Sequence, residues 1–316
     1  MMRLACMVLV ATGLLFGSRE AAAQTCTASA PDLYFGNLQS PANATVDVAA
    51  PMTVSCDGGS AYANQTLRVC IGIDPAGWLS GRTMYPGGNG IFSPSIDYEV
   101  FVDSGRTQPW DSNPQHEVLV VLNGSGIGTG TRMMYARMAP PGGRAAGSYS
   151  SGLTDDVFEG RIKNGNSGCG SNNSTGNFVG QPFDVSVYIN GGCEITVTPL
   201  LDFGTVSGAI TTPVDSSISL QAECSSQLPY TVALGDGLHA SGAQRRMRSA
   251  GGEVVDYGLF QDVARSQRWG DGTPEPVRQG TGSGGQQTLT IYGRVPAGQT
   301  VPSGTYKDTV TATITY

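Results

Sequence analysis

The chain has 316 residues, 45 of them glycine, and only 14% of its residues are charged. This composition is typical of short strands joined by many turns, and it disfavours a helical protein. The net charge of −7 argues against nucleic acid as a partner and against an anionic membrane surface, because both are themselves negatively charged.

Residues 1–23 have the pattern of a secretory signal peptide. Arg3 supplies a positive start, residues 4–16 form an apolar core, and three alanines at 21–23 provide a cleavage site before Gln24. The core is too short for a transmembrane helix, which needs about 20 apolar residues, and no later stretch approaches that length. The sequence therefore predicts export of a soluble mature chain that begins at Gln24.

Beyond the signal peptide, apolar and polar residues alternate with a period of two, and helical periodicity is absent. The alternation occurs at residues 46–48, 52–55, 183–189, 217–222 and 308–316. Glycine, proline, asparagine and serine form turns between these runs. Many short strands at turn-marked intervals predict an all-β protein built from β-sandwiches.

One motif occurs twice in the chain with the same spacing. Six residues of the first copy match six of the second: Asp97, Tyr98, Phe101, Asp103, Arg106 and Trp110 with Asp256, Tyr257, Phe260, Asp262, Arg265 and Trp269. Four more match later in each copy: Tyr135, Arg137, Gly147 and Tyr149 with Tyr292, Arg294, Gly304 and Tyr306. These matches predict a tandem duplication, with one domain at residues 24–190 and a second at 191–316.

The cysteines follow the same duplication. Each copy begins with a similarly spaced pair, Cys26/Cys56 in the first and Cys193/Cys224 in the second. Export places them in an oxidising compartment, so each pair is expected to form a disulfide. Cys6 leaves with the signal peptide, and Cys70 and Cys169 remain for each other. This third disulfide would tether a polar insertion, residues 155–181 of the first copy, to the strand that holds Cys70.

A set of motifs in the second copy matches a known pattern. The residues concerned are Cys193, Cys224, Asp256-Tyr257, Trp269-Gly270-Asp271-Gly272 and Gly304-Thr305-Tyr306-Lys307-Asp308-Thr309-Val310. In these residues the chain resembles the spore coat protein U domain family. The resemblance is close for residues 193–316 and looser for 26–190. There, Trp110-Asp111-Ser112-Asn113 replaces the Trp-Gly-Asp-Gly run, and the insertion is expected to displace the terminal strand to residues 183–189.

The resemblance implies a subunit of an archaic, Csu-type chaperone–usher pilus that mediates attachment and biofilm formation. Such pilins are immunoglobulin-like sandwiches that lack one strand, so the second domain is expected to be incomplete. A periplasmic chaperone fills the gap first, and a strand of the adjacent pilin replaces it at the outer-membrane usher. The terminal strand would line this acceptor groove with Val310, Ala312, Ile314 and Tyr316.

The predicted N-terminus bears on the place of the subunit in the pilus. Cleavage leaves only Gln24 and Thr25 before Cys26, whereas a donor strand needs about five residues. The mature chain could then accept a strand but not donate one, which suits the free end of the polymer. Tip subunits of such pili carry a binding domain on a pilin domain, so the duplication also predicts a two-domain tip adhesin that is exported through the periplasm to the cell surface.

Apolar residues in glycine-rich turns of the first copy are candidates for surface binding. They are Trp78, Leu79, Tyr85, Ile91 and Phe92. Several exposed apolar loop tips would form a patch of the kind that monomers usually avoid, and hydrophobic loops bind surfaces in Csu-type tip adhesins. We expect these residues to contact a surface or host receptor, with Ile127 as a further candidate. The alternative is that they fold back into the core.

Catalytic and metal-binding motifs are missing. His116 and His239 lie in unrelated contexts, and no nucleophile elbow, zinc-protease motif or phosphate-binding loop occurs. Asp155, Asp156 and Glu159 lack the spacing of a calcium loop and are predicted to be solvated. The sequence predicts a non-enzyme without a cofactor or metal, although a glycosidase with a scattered carboxylate pair stays open.

Two other functions stay open. A free-standing secreted carbohydrate-binding module would stack sugar on Trp78 or Trp110, although the equivalent positions of Trp110 and Trp269 in the two copies favour a structural role. A structural coat or minor pilus subunit would need a longer N-terminus than the predicted cleavage leaves.

Overall fold

The computed structural model describes residues 24–75, 81–87, 95–113, 115–152, 156–163, 168–170, 174–197, 200–272 and 276–316. The predicted signal peptide lies outside these ranges. Within them, no helix is long and apolar enough to cross a membrane. One turn of 3-10 helix lies at Ser60–Tyr62.

The described residues form twenty strands. The first half contributes β1 (Thr25–Ser29), β2 (Leu33–Gln39), β3 (Val46–Asp57), β4 (Thr66–Pro75), β5 (Thr83–Pro86), β6 (Ile96–Phe101), β7 (His116–Val121), β8 (Ile127–Met138), β9 (Gly147–Ser150), β10 (Asp156–Lys163), β11 (Ser174–Phe183) and β12 (Val185–Asn190). The second half contributes β13 (Cys193–Val197), β14 (Val214–Cys224), β15 (Pro229–Leu234), β16 (Arg245–Arg248), β17 (Val254–Phe260), β18 (Arg278–Thr281), β19 (Gln286–Val295) and β20 (Ala312–Thr315).

The first half folds as a two-sheet sandwich. One sheet has the order β1-β3-β8-β6-β5-β9-β12-β2 and the other the order β11-β10-β4-β7. Successive side chains of a strand point to opposite faces, so β3 buries Met52, Val54 and Cys56 and turns the residues between them outward. These buried residues join a core to which both sheets contribute.

The second half folds as a smaller sandwich with its own core. Its sheets have the orders β13-β14-β19-β17-β16 and β18-β15-β20. Leu220, Val232 and Ile291 lie in this core, on strands of both sheets. The predicted all-β fold of two tandem sandwiches is confirmed.

The disulfides have the predicted pairing. Cys26–Cys56 joins β1 to β3, and Cys193–Cys224 joins β13 to β14 at the equivalent place. Cys70–Cys169 ties β4 to residues 168–170, inside the predicted insertion. The loop between β10 and β11 is therefore held to the sheet that both strands belong to.

The prediction for residues 155–181 as a polar insertion is wrong, because β10 and most of β11 lie there. β10 pairs with β4 as β20 pairs with β15, so β10 is the first copy's equivalent of the terminal strand and residues 183–189 are not. Burial alternates along β10, but hydropathy does not, because Asp156 and Gly160 occupy inward positions. The period-two signal was hidden for that reason.

Candidate functional site

The repeated tryptophans are structural. Neither Trp110 nor Trp269 is exposed (0% for both). Each indole Nε1 donates a hydrogen bond to a buried strand, to the carbonyl of Ile71 (3.0 Å) in the first copy and of Val232 (2.8 Å) in the second. A buried ring cannot stack on sugar, so Trp110 is excluded as a sugar-binding residue. Trp78 lies outside the described residues.

The repeat also duplicates an ion pair between two paired strands. Arg137 donates two hydrogen bonds to Asp47 (2.8 and 2.9 Å), and Arg294 donates two to Asp215 (2.7 and 2.8 Å). These charge-assisted bonds hold the pKa of each carboxyl below its usual value. Both pairs lie at the surface and stabilise the β3–β8 and β14–β19 ladders.

A buried polar cluster fixes the start of β10. Arg82 Nε donates to Asp156 (2.9 Å), and the Tyr98 hydroxyl donates to the other carboxylate oxygen of Asp156 (3.0 Å). Arg82 also donates to the Trp110 carbonyl (2.8 Å) and pairs with Glu99. Burial raises the pKa of Tyr98 and of Asp156. The prediction that Asp156 is solvated is therefore wrong.

The second copy keeps part of this cluster ahead of β20. The Tyr257 hydroxyl donates to Asp308 (2.7 Å), and Arg245 Nη2 donates to the Leu234 carbonyl (2.6 Å). Burial raises the pKa of Tyr257. A tyrosine thus binds an aspartate near the start of equivalent strands: Asp156 is the first residue of β10, and Asp308 lies shortly before β20.

The tryptophan hydrogen bonds define the register between the copies. Ile71, the acceptor in the first sandwich, lies opposite Gly160 on β10. Val232, the acceptor in the second, lies opposite Ile314 on β20. Gly160 and Ile314 are therefore equivalent positions, and β10 and β20 can be compared residue by residue.

In the first sandwich, β10 is covered by the chain itself. β11 pairs antiparallel along β10, and β12 then crosses to the other sheet, where it pairs with β2 and β9. Alternate residues of this segment, Phe183, Val185, Val187 and Ile189, are at most 1% exposed. The rings of Phe183 and Phe158 stack with centroids 5.1 Å apart. The first sandwich therefore supplies its own closing strand.

In the second sandwich, β20 is an edge strand. It pairs with β15 on one side, and no described strand pairs with the other side. Val310, Ala312 and Ile314 point toward the core but are only half-buried, and Tyr316 is 57% exposed. Three of the four predicted groove residues thus lie along an open edge, while Tyr316 lies at its exposed end.

The opposite wall of this gap is the segment after β13. Leu-Tyr-Phe-Gly at residues 33–36 recurs as Leu-Asp-Phe-Gly at 201–204. Leu33 and Phe35 are 1% and 4% exposed, because β2 is paired with β12. Leu201 and Phe203 are only half-buried against the second core. Ile314, Leu201 and Phe203 are thus partly exposed at positions whose equivalents β11 and β12 cover in the first sandwich, and we call this region the β20 groove.

Most predicted surface-binding residues lie outside the described residues, namely Trp78, Leu79, Ile91 and Phe92. Tyr85 lies in β5, half-buried and paired with Ser150. The described flanks of residues 88–94 are held in place: Gly87 N donates to the Ser148 carbonyl (3.0 Å), and Arg144 donates to the Ser95 carbonyl (2.9 Å).

Ile127, the further candidate for surface binding, lies at the end of the first sandwich that points away from the second. β8 runs from Ile127, opposite Asp57, to Met138, opposite Val46. The chain after Met138 reaches Gly143, whose carbonyl accepts a hydrogen bond from the second sandwich. Ile127 is therefore far from the joint between the sandwiches, and it is 51% exposed.

The described residues hold no group of three histidine, cysteine, aspartate or glutamate side chains placed to bind a metal. His116 begins β7, and its ring lies edge-on to Trp110 with centroids 5.8 Å apart. Burial lowers the pKa of His116. This environment indicates a packing role for the imidazole.

Comparison with solved structures shows where this architecture occurs. The tip adhesion subunit CsuE with its chaperone CsuC, from the archaic chaperone–usher Csu pili of Acinetobacter baumannii, has a similar fold: the TM-score is 0.53 at 17% identity, over 92% of this chain and 100% of that chain. The CupB6 tip adhesin of Pseudomonas aeruginosa is less similar, with a TM-score of 0.37 at 14% identity over 92% of this chain and 93% of that one.

Sequence comparison identifies the family. Protein U of Myxococcus xanthus is 39% identical over 130 residues, which cover 37% of this chain and 71% of that protein. The family model for the Spore Coat Protein U domain matches residues 12–155 and again residues 180–313. The chain therefore belongs to the Spore Coat Protein U domain family, with two copies of the domain.

Proposed function

We propose that the chain is the tip adhesin of an archaic chaperone–usher pilus. In this proposal, residues 24–190 form the binding domain and residues 191–316 form a pilin domain that accepts a strand by donor-strand complementation. One observation carries it: among the described strands, none pairs with the outer edge of β20, at the place where β11 covers β10.

An added strand would be stabilised by the groove in two ways. Its main chain would pair with the free amide and carbonyl groups of β20, as in β-augmentation. Its inward side chains would cover Ile314, Leu201 and Phe203, which are half-exposed. Full burial of a large apolar side chain is worth about 1.5–3 kcal/mol, so completing the burial of these three should contribute roughly half of that for each.

The fold similarity supports this proposal and suggests the partners. The similar structure is a pre-assembly complex of a chaperone with the tip adhesion subunit of Csu pili. By analogy, a periplasmic chaperone would fill the β20 groove first, and the adjacent pilin would replace it at the outer-membrane usher. The finished subunit would then be exposed at the pilus tip on the cell surface.

The first sandwich suits the binding role because it needs no partner strand. β11 and β12 close it, so its loops are free to contact an abiotic surface or host receptor and to promote biofilm formation. Trp78, Leu79, Tyr85, Ile91 and Phe92 stay our proposed contact residues, with Ile127 at the end far from the joint.

Strand acceptance is tested by fusing a strand of alternating valine and threonine after Tyr316. The linker should be as long as residues 164–173, which connect β10 to β11 in the first sandwich. The fusion should raise the melting temperature of the second sandwich by about 4 °C for each kcal/mol gained. The matched control carries the same residues in an order without alternation. Equal melting of the fusion and the unfused chain would contradict the proposal.

The binding role is tested by replacing Trp78 and Leu79 with alanine together. Attachment of the mature protein to a hydrophobic surface should fall several-fold, while the free energy of unfolding stays within about 0.5 kcal/mol, as for surface substitutions. Quartz-microbalance adsorption and urea denaturation measure the two quantities. A parallel loss of both would mean that these residues belong to the core.

A further inference from the structure

We infer that the β20 groove selects its donor strand by side-chain size and takes a small residue facing Ile314, where β11 would bring Phe178. The groove would thus accept a strand from another protein and reject the closing strand of a second copy of this chain. The inference rests on the proposed function and adds the chemistry of the partner strand.

The first sandwich shows how size governs the fit between a covered strand and its cover. Phe178 on β11 lies directly opposite Gly160 on β10, and a Cβ atom at Gly160 would lie 2.0 Å from the Phe178 ring. Two residues along β10, Phe158 is fully buried and its ring stacks on Phe183. The Phe178 ring fits because Gly160 has no side chain.

β20 has the reverse order of sizes. Ile314 stands where β10 has Gly160, because each lies opposite the strand residue that accepts the tryptophan hydrogen bond. Two residues earlier on each strand, Ala312 stands where β10 has Phe158. The position of Gly160, which has no side chain in the first sandwich, thus holds the large Ile314 in the second. The position of the large Phe158 holds the small Ala312.

β11 would therefore fit the β20 groove badly at two places. Phe178 would meet Ile314, whose side chain extends well beyond the Cβ atom that already clashes. Ala312 would leave the space of the Phe158 ring unfilled beside Phe183. Overpacking and a cavity both destabilise a packed interface. A fitting partner strand has a small residue facing Ile314.

This arrangement has a consequence for assembly. β11 and β12 already complete a sandwich of the same fold, so a neighbouring copy carries a strand with the direction and alternation that the groove needs. Exchange of such an element between copies is a general route to unwanted oligomers. The two misfits act against it, as specificity often relies on features that exclude the wrong partner.

Two peptides that differ at one residue test the inference on the unaltered mature chain. The first spans residues 174–190 as they occur. The second carries Phe178→Gly, so that a glycine faces Ile314. Fluorescence anisotropy of the labelled peptides should show at least tenfold tighter binding of the glycine peptide, although it has lost an apolar side chain. Any insertion into the first sandwich would favour the native peptide and so works against this expected result.

A chain variant provides the reciprocal test. Ala312→Phe with Ile314→Gly gives β20 the sizes of β10, and the preference between the two peptides should reverse. If this variant does not fold, the peptide pair on the unaltered chain still decides. Equal binding, tighter binding of the native peptide, or no binding of the glycine peptide would overturn the inference. Stabilisation by the strand fused after Tyr316 shows separately whether strand acceptance itself survives.

Discussion

At the scale of single residues, the repeated motif maintains the sandwich rather than binding a ligand. The indoles of Trp110 and Trp269 each join two sheets by a hydrogen bond to a buried carbonyl. Arg106 and Arg265 have the same left-handed backbone, with φ of 55° and 58°, and each guanidinium lies 5.8 Å from the centroid of a tyrosine ring. Functional differences between the copies therefore lie outside the repeated residues.

The duplicated ion pairs predict a loss of stability in acid. The pKa of Asp47 in the folded protein is held below its unfolded value by the hydrogen bonds from Arg137. A depressed carboxyl pKa contributes stability above the unfolded value, near pH 4, and this contribution is lost as the pH falls through the folded value. Asp47→Asn should therefore lower stability at pH 7 by about 0.2–1 kcal/mol, as for exposed pairs, and by less at pH 3.

The measurement is the free energy of unfolding in urea at the two pH values. Asp97→Asn is the control, because Asp97 is exposed and has no ion pair with any residue the structure describes. An equal loss for Asp47→Asn at pH 3 and pH 7 would contradict the assigned role of the pair.

At the scale of secondary structure elements, the second sandwich and the disulfides could be predicted from the sequence, because the repeat and the period-two pattern show directly in the residues. β10 could not. Its inward positions include Asp156, which is tolerable in a core only because Arg82 pairs with it from 74 residues away. That partnership is a property of the fold, so sequence alone indicated a polar insertion. β20 could be predicted because its alternation has no such exception, and its role in accepting a strand stays a proposal.

The comparison of β10 with β20 predicts a difference in the cost of truncation. Phe158→Ala removes a buried ring that stacks on Phe183 and should cost about 3–5 kcal/mol. Ile314→Ala removes a half-exposed side chain and should cost roughly 1–2 kcal/mol, below the usual range for a buried isoleucine.

A fused donor strand makes this contrast sharper. With the β20 groove filled, Ile314 becomes a core residue, so Ile314→Ala should become more costly in the fusion than in the unfused chain. Urea denaturation of the four proteins forms a double-mutant cycle. A cost that does not change on fusion would show that the added strand does not cover Ile314.

At the scale of the whole molecule, the two sandwiches are joined by hydrogen bonds to backbone carbonyls that sequence patterns cannot reveal. Ser226 N donates to the Gly143 carbonyl (2.8 Å), and the Gln39 side-chain amide donates to the Gly191 carbonyl (2.7 Å). A Cβ atom at Gly143 would lie 2.5 Å from the carbonyl oxygen of Gly284. The joint relies on glycines in separate loops that lack any periodic signal.

Gly143→Ala should therefore change how the sandwiches are arranged without unfolding either of them. The three atoms nearest to the new methyl group would all be backbone atoms of Gly284. Backbone atoms cannot turn aside as a side chain can, so the loops must separate and the hydrogen bond from Ser226 must lengthen. Each core is distant from the joint, so the melting temperatures should change little. Small-angle X-ray scattering should show an altered maximum dimension relative to the unaltered chain.

Gly285→Ala is the matched control, because a Cβ atom there has no atom of the described structure within 4 Å. In a tip adhesin, load on the binding domain must pass through this joint to the β20 groove, so a loosened joint should weaken attachment under flow more than attachment at rest. Scattering profiles that coincide for Gly143→Ala and Gly285→Ala would show that the glycine contact does not set the arrangement of the two sandwiches.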